Sequence, residues 1–239
     1  MSTNVFHAAN TRGHADHGWL DSYHSFSFAG YHDEQRIHFG ALRVLNDDTV
    51  AGGQGFGKHP HDNMEIISIV LDGALEHADT MGHKEALKKD EVQVMTAGSG
   101  LMHSEANHSK TDKVSFLQIW IFPEKRHVQP KYAQRYYDPA ERKNKWQLLV
   151  SPETASDDSL HINQQGWIYR TSLDAGQSIS RQLHSKGHGA YLFVIDGTVT
   201  VNGQVMNRRD GYGIRDTDNI EITASADADV LLLEVPMAM

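Results

Sequence analysis

Short apolar runs, each cut off by a turn signal, exclude most of what a chain of 239 residues could become. The runs are ALRVLNDD, IISIVLDG, VSFLQIWIFP, AYLFVIDG, TVTVNG and VLLLEVP. Runs of this length bounded by Gly, Asp, Asn and Pro read as strands. Asp72-Gly73, Asp196-Gly197 and Asn202-Gly203 are read as hairpin turns, because such dipeptides tolerate φ > 0 at both central positions. No amphipathic period longer than about three turns interrupts the pattern. The one place where a short helix is expected is DPAERKNKWQ, 138–147. The fold class is therefore all-β, as a sandwich or a barrel.

The two halves repeat weakly. SIVLDGALE (68–76) lies over LFVIDGTVT (192–200) without a gap, and KKDEVQVM (88–95) over RRDGYGIR (208–215) at nearly the same offset. Two copies of one β module account for this. The junction falls between about 135 and 160, near the polar stretch SPETASDDS. Divided there, the chain is expected to hold two β-barrel domains, 1–137 and 138–239.

Composition narrows the function. The formal net charge of −9 disfavours direct binding to nucleic acid, and NRRDG (207–211) is too small a basic cluster to reverse that. No apolar run approaches the ~18 residues a membrane helix needs, and MSTNVFHAANTRGHADHGWL lacks the apolar stretch of a secretion signal. A cytoplasmic protein without membrane contact is the expectation. There are no cysteines and 16 histidines, so a tight transition-metal site must be built from His, Asp and Glu.

Two spacings carry that chemistry. In GFGKHPHDNMEI (55–66), His59 and His61 are two residues apart, and in a strand residues i and i+2 share a face. Pro60 between them suits a strand end or edge. In GSGLMHSEAN (98–107), His103 and Glu105 repeat the spacing. Two such pairs on neighbouring strands converge on one point. Three imidazoles and a carboxylate then leave two octahedral positions open for substrate and dioxygen or water. Glu65, four residues beyond His61, would face the same way in an unbroken strand, so spacing leaves it and Glu105 both as candidate carboxylates.

Gly53-x5-His59-x-His61-x3-Glu65-x7-Gly73 resembles the first cupin motif, and His103-x3-Asn107 the end of the second. More narrowly, FGKHPHDNMEI, VMTAGSGLMHSE and LQIWI resemble the pirin family. RGHADHGWLDSYHSFSF (12–28) is similar to its short bacterial quercetinase-like branch. The resemblance implies a bicupin, two double-stranded β-helix barrels, with one metal in the first. Its ligands would be His59, His61, His103 and Glu105. Fe(II) is the ion it favours, with Mn, Co, Ni, Cu and Zn as alternatives. Gln118 resembles a pocket residue beside the metal and joins Glu105 as a candidate catalytic residue. Glu65 remains the position an ordinary cupin would use.

Laid over the second copy through the Asp-Gly turn and the Asp90/Asp210 match, the four ligands fall on Leu183, Ser185, Thr223 and Ser225. The second barrel is therefore expected to be metal-free, with His184 and His188 structural. His14 and His17 are expected in a loop or hydrogen bonded behind the site. GGQGFGK (52–58) lacks the Lys-Ser/Thr end of a phosphate loop. Trp19, Trp120, Trp146 and Trp167 read as core or rim aromatics. The resemblance implies a quercetin 2,3-dioxygenase-like enzyme, opening the heterocycle of a flavonol with dioxygen. The alternative it carries is a metal-dependent regulatory module that binds a protein partner without steady turnover.

Overall fold

The computed structural model describes residues 4–238. Among these are 22 strands and two 3-10 turns. One seven-stranded sheet runs in the order Lys131–Tyr136, Glu91–Thr96, Glu65–Asp72, Val114–Ile121, Leu42–Val50, Leu20–His24, Gly13–Asp16. The other runs Val5–His7, Gly211–Ile214, His188–Asp196, Ala228–Pro236, Trp167–Leu173, Gln147–Pro152, Leu160–Ile162. Each is closed into a barrel by a four-stranded sheet. The first is Gly55–His61, Leu101–Asn107, Ala74–Asp79, Lys84–Lys88. The second is Ser178–Gln182, Asn219–Ala224, Thr198–Val201, Gln204–Asn207. The two halves share the order of their central strands, as the repeat anticipates, but at one edge Gly13–Asp16 pairs antiparallel with its neighbour where Leu160–Ile162 pairs parallel. Among the described residues no helix is long and apolar enough to cross a membrane.

Alternation along each strand decides what faces what. On Glu65–Asp72, Ile67 and Ile69 belong to a large buried cluster shared with Tyr191, Phe193, Leu231 and Leu233 of the second barrel. Ile66 and Val70 point the other way, into the first barrel. The interior of the second barrel holds Leu192, Val194, Ile220, Ile222 and Leu232. The two large sheets are thus buried on both faces, and the contact between barrels is itself a hydrophobic core.

Three expectations need correcting. Asp72-Gly73 and Asp196-Gly197 are not hairpins. The strands on either side of each lie in different sheets, so each dipeptide is a corner of its barrel. Gly73 (φ +79°) and Gly197 (φ +83°) take the left-handed backbone there. A Cβ would stand 2.8 Å from the Lys113 carbonyl oxygen and 2.1 Å from that of Asp227. Only Asn202-Gly203 turns a hairpin, with Val201 opposite Gln204 and both turn residues at positive φ. The expected helix over 138–147 is a single 3-10 turn, Pro139–Arg142. Asp138 caps it by accepting the Ala140 N–H, and Asn144 at φ +55° stands just beyond its end. Finally, Val5–His7 pairs with Gly211–Ile214 in the second sheet, although its sequence position is in the first half. It takes the edge place that Lys131–Tyr136 takes in the first.

A core that spans both barrels predicts one cooperative unfolding transition. Ile119, buried in it, is the probe: Ile119→Ala should cost about 2–5 kcal/mol and lower a single calorimetric transition. Two separable transitions, with only one shifted, would contradict this packing.

Candidate metal centre

The first pair of histidines ends an edge strand. Among the described residues, Gly55–His61 pairs only with Leu101–Asn107, which tolerates the missing N–H of Pro60. In the ladder His103 lies opposite His59 and Leu101 opposite His61. The register slips between His103 and Glu105, so that Glu105 lies opposite Phe56. This bulge adds a residue to the histidine strand and keeps Phe56, His59 and His61 on one face. The rings of His59, His61 and His103 have centroids 4.5–4.8 Å apart, and their ligand nitrogens converge within 4.8 Å.

Hydrogen bonding orients this set. His59 Nδ1–H donates to the Gly57 carbonyl (2.8 Å), which leaves Nε2 its lone pair. That nitrogen stands 3.0 Å from His103 Nε2. Burial, then the charge of His59, lowers the pKa of His61 to about 4. Burial, then His59 and His61, lowers that of His103 to about 2. Both rings are neutral at pH 7, the form that binds metal. Glu105 is buried and held at each oxygen: Ser68 Oγ donates to Oε1 (3.2 Å) and Gln118 Nε2 to Oε2 (2.6 Å). Trp120 Nε1–H in turn donates to Gln118 Oε1 (3.3 Å), setting the amide's orientation. The three imidazoles form one group of candidate ligands, and Glu105 forms a second with His103 and His77, the two sharing His103. Imidazoles and a carboxylate without a thiolate fit a divalent transition ion.

A cavity of about 290 Å³ opens onto the group, lined among others by Phe28, Asn46, Asp48, Phe56, Gln118 and Trp120. Asp48 accepts from Ser22 Oγ, and burial raises its pKa to about 7. His17 lines the same cavity, whereas His14 is exposed, stacked on Tyr23 and bonded to Asp21 (2.7 Å).

Glu65 does not face the group. The strand is broken after His61, with Asn63 at φ +47°, and Glu65 opens the next strand in the other sheet. On that strand it shares a face with Ile67 and Ile69, towards the second barrel. Thr96 Oγ1 donates to its Oε2 (2.6 Å), and the Asn163 backbone lies beside the buried carboxyl. Burial raises its pKa to about 7.

The sequence reading missed His77. It lies opposite Glu105 on the neighbouring strand, fully buried, with a ligand atom within 4.8 Å of those of His103 and Glu105. It bonds Asp79 (3.2 Å), which also holds His83 (2.9 Å), and it stacks on Tyr132. His77-x-Asp79 has the same i,i+2 spacing as the pairs singled out, and that was the available signal.

The second barrel holds a different set. Ladder for ladder, His59, His61, His103 and Glu105 correspond to Arg181, Leu183, Ile220 and Ile222. The gapless overlay onto Leu183, Ser185, Thr223 and Ser225 slipped at both pairs: five residues separate Gln182 from His188 where three separate His61 from Glu65, and in the ladders four steps lead from Ile214 to Asp218 where six lead from Met95 to Leu101. His184 and His188 both bond the buried carboxylate of Glu234 (2.8 and 3.0 Å), and His184 stacks on Trp167.

A family model described as Pirin matches residues 5–121, and one described as Quercetinase C-terminal cupin domain matches residues 148–235. The chain is 45% identical over 228 residues to the quercetin 2,3-dioxygenase of Escherichia coli strain K12, covering 95% of this chain and 96% of that one. It is 40% identical over 222 residues to a pirin-like protein of Caulobacter vibrioides, covering 93% and 95%. Among solved structures it is similar to YhhW from Escherichia coli, with a TM-score of 0.93, 44% identity and 98% of each chain covered. The bacterial pirin YhhW in complex with nickel(II) gives 0.92 and 43%, covering 98% of this chain and 99% of that one.

The placement of Glu65 has a consequence for stability. Its folded pKa of about 7 lies above its ordinary value of 4.5. Its ionisation therefore opposes folding: stability is greatest below pH 4.5 and falls as pH rises through 7. Glu65→Gln should gain roughly 2 kcal/mol more over the parent at pH 8 than at pH 5.5, measured by urea unfolding. A pH-independent difference would contradict the buried carboxyl.

Proposed function

The chain belongs to the pirin family, and on that premise we propose that it is a metal-dependent dioxygenase that opens the heterocycle of a flavonol such as quercetin. The observation that supports this best is the setting of Glu105: a carboxylate held at both oxygens beside His103, one of three clustered imidazoles, and lining an aromatic-walled cavity. The name of the Escherichia coli relative points to the same chemistry.

His59, His61, His103 and Glu105 would hold the ion, with iron(II) favoured and nickel(II) compatible with the solved relative. When bound, such a metal supplies Lewis acidity toward a hydroxyl beside a carbonyl and a place for dioxygen to react. The remaining work falls to the chain. Glu105 accepts the proton of the flavonol 3-hydroxyl, and Gln118 keeps the accepting oxygen aimed. Trp120, with its ring 4.9 Å from that of His61 and 5.4 Å from that of Phe28, forms with Phe56 an apolar wall for a flat aromatic ligand and excludes water from the electron-rich anion. At about 290 Å³ the cavity is at the small end of the ~300–1,000 Å³ usual for small-molecule sites. The reacting rings would lie inside, and the outer ring at the mouth.

Metal-loaded protein should consume quercetin and dioxygen together, and stop under anaerobic conditions. Glu105→Gln should lose ~10²-fold or more in turnover and bind metal more weakly. Glu65→Gln should keep its metal and stay within a few-fold of the parent. Full metal occupancy with no aerobic turnover would favour the protein-binding alternative. Loss of metal from Glu65→Gln but not from Glu105→Gln would overturn the ligand assignment.

A further inference from the structure

The NRRDG turn that looked too small for a basic site is completed by the fold. On the strand Leu42–Val50, Asn46 and Asp48 line the metal cavity. Asp47, between them, points out of the opposite face into a second cavity of about 450 Å³, lined among others by Arg12, Tyr23, Thr49, Ser115, Arg208 and Arg209. Arg12 Nη1 (3.2 Å) and Arg209 Nε (3.0 Å) both bond the same oxygen of Asp47. The side chains of all three are largely buried, at 6%, 13% and 13% exposure. Arg208 pairs with exposed Asp196. Asp210 accepts from the backbone N–H groups of Ala9 and Asn207 and makes no ion pair among the described residues. Two buried guanidinium groups therefore share one carboxylate.

The repeat supplies the control. The strand ladders match Asp47 with Arg170, Ser115 with Asp229, and Arg209 with Asp90. Arg209 and Asp90 share the left-handed backbone, at φ +70° and +65°. At the matching place Arg142 bonds Asp90 (2.6 Å), and Arg170 bonds Asp229 through two hydrogen bonds (2.9 and 2.6 Å) and approaches Asp90 (4.0 Å). Two arginines there meet two carboxylates. On the Asp47 side the second carboxylate is replaced by Ser115, whose hydroxyl bonds Thr49 (3.1 Å). The side holds one carboxylate fewer than its twin, with hydroxyl donors and open space. An unbalanced, largely buried charge is costly unless an ion compensates it.

We propose that this cavity is a binding site for a small oxyanion, most simply a phosphate group, held by Arg12, Arg209 and the hydroxyls of Ser115 and Thr49. Guanidinium pairs suit phosphate and carboxylate oxygens alike, so the source is read from the probe.

The test is thermal unfolding of the whole chain against inorganic phosphate, acetate and chloride at equal ionic strength. Phosphate should raise the midpoint with a saturating dose dependence that chloride does not reproduce. A saturating response to acetate instead would assign a carboxylate ligand to the same site. Arg209→Gln should weaken the apparent affinity ~10-fold or more. Ser115→Asp places a negative charge in the cavity from within. It should lose the response, and it keeps the test decisive if the arginine variant folds poorly. Indistinguishable effects of phosphate, acetate and chloride on the parent, or an undiminished response in Ser115→Asp, would overturn the proposal.

Discussion

Two seven-stranded sheets pressed face to face impose a parity on this chain. A residue on their central strands points either into its own barrel or into the core between barrels, and its neighbour points the other way. That constraint separates Ser68, which holds Glu105, from Ile67 and Ile69, which bind the halves together. It places Asp48 in the metal cavity and Asp47 in the arginine cavity behind it. Without a shared apolar core on one face, the polar residues on the other would have no fixed position.

The same parity explains what could be read from the sequence. The i,i+2 pairs His59/His61 and His103/Glu105 were legible because each lies within one strand, and the two strands pair directly. Glu65 was not, because the argument from spacing assumed an unbroken strand. Asn63 breaks it, and Glu65 emerges in another sheet facing the other barrel. The Asp-Gly corners were mistaken for hairpins because both need a left-handed glycine, and sequence alone does not say which strand pairs across it. His77 was missed because its strand was read only as part of the repeat. The overlay of the two halves failed at Ile220 and Ile222, because turn signals align strands but not loops of unequal length.

Duplication has left the barrels with opposite interiors. In one, imidazoles and a carboxylate gather where strand pairing brings them together. In the other, Leu183, Ile220 and Ile222 are buried, and Arg181 lies over the Tyr169 ring. Charge is unequal between the halves as well. The twin of the balanced Arg142–Asp90–Arg170–Asp229 network is a pocket short of one carboxylate. The proposed metal site and the proposed oxyanion site both lie where one copy departs from the other.

The account depends most on which carboxylate completes the metal site. Anomalous diffraction from crystals of the metal-loaded protein, collected at the ion's absorption edge, measures this directly. One peak is predicted in the first barrel, within bonding distance of nitrogens of His59, His61 and His103 and of an oxygen of Glu105, with none beside Arg181. A peak bonded to Glu65, or one away from the three histidines, would contradict it.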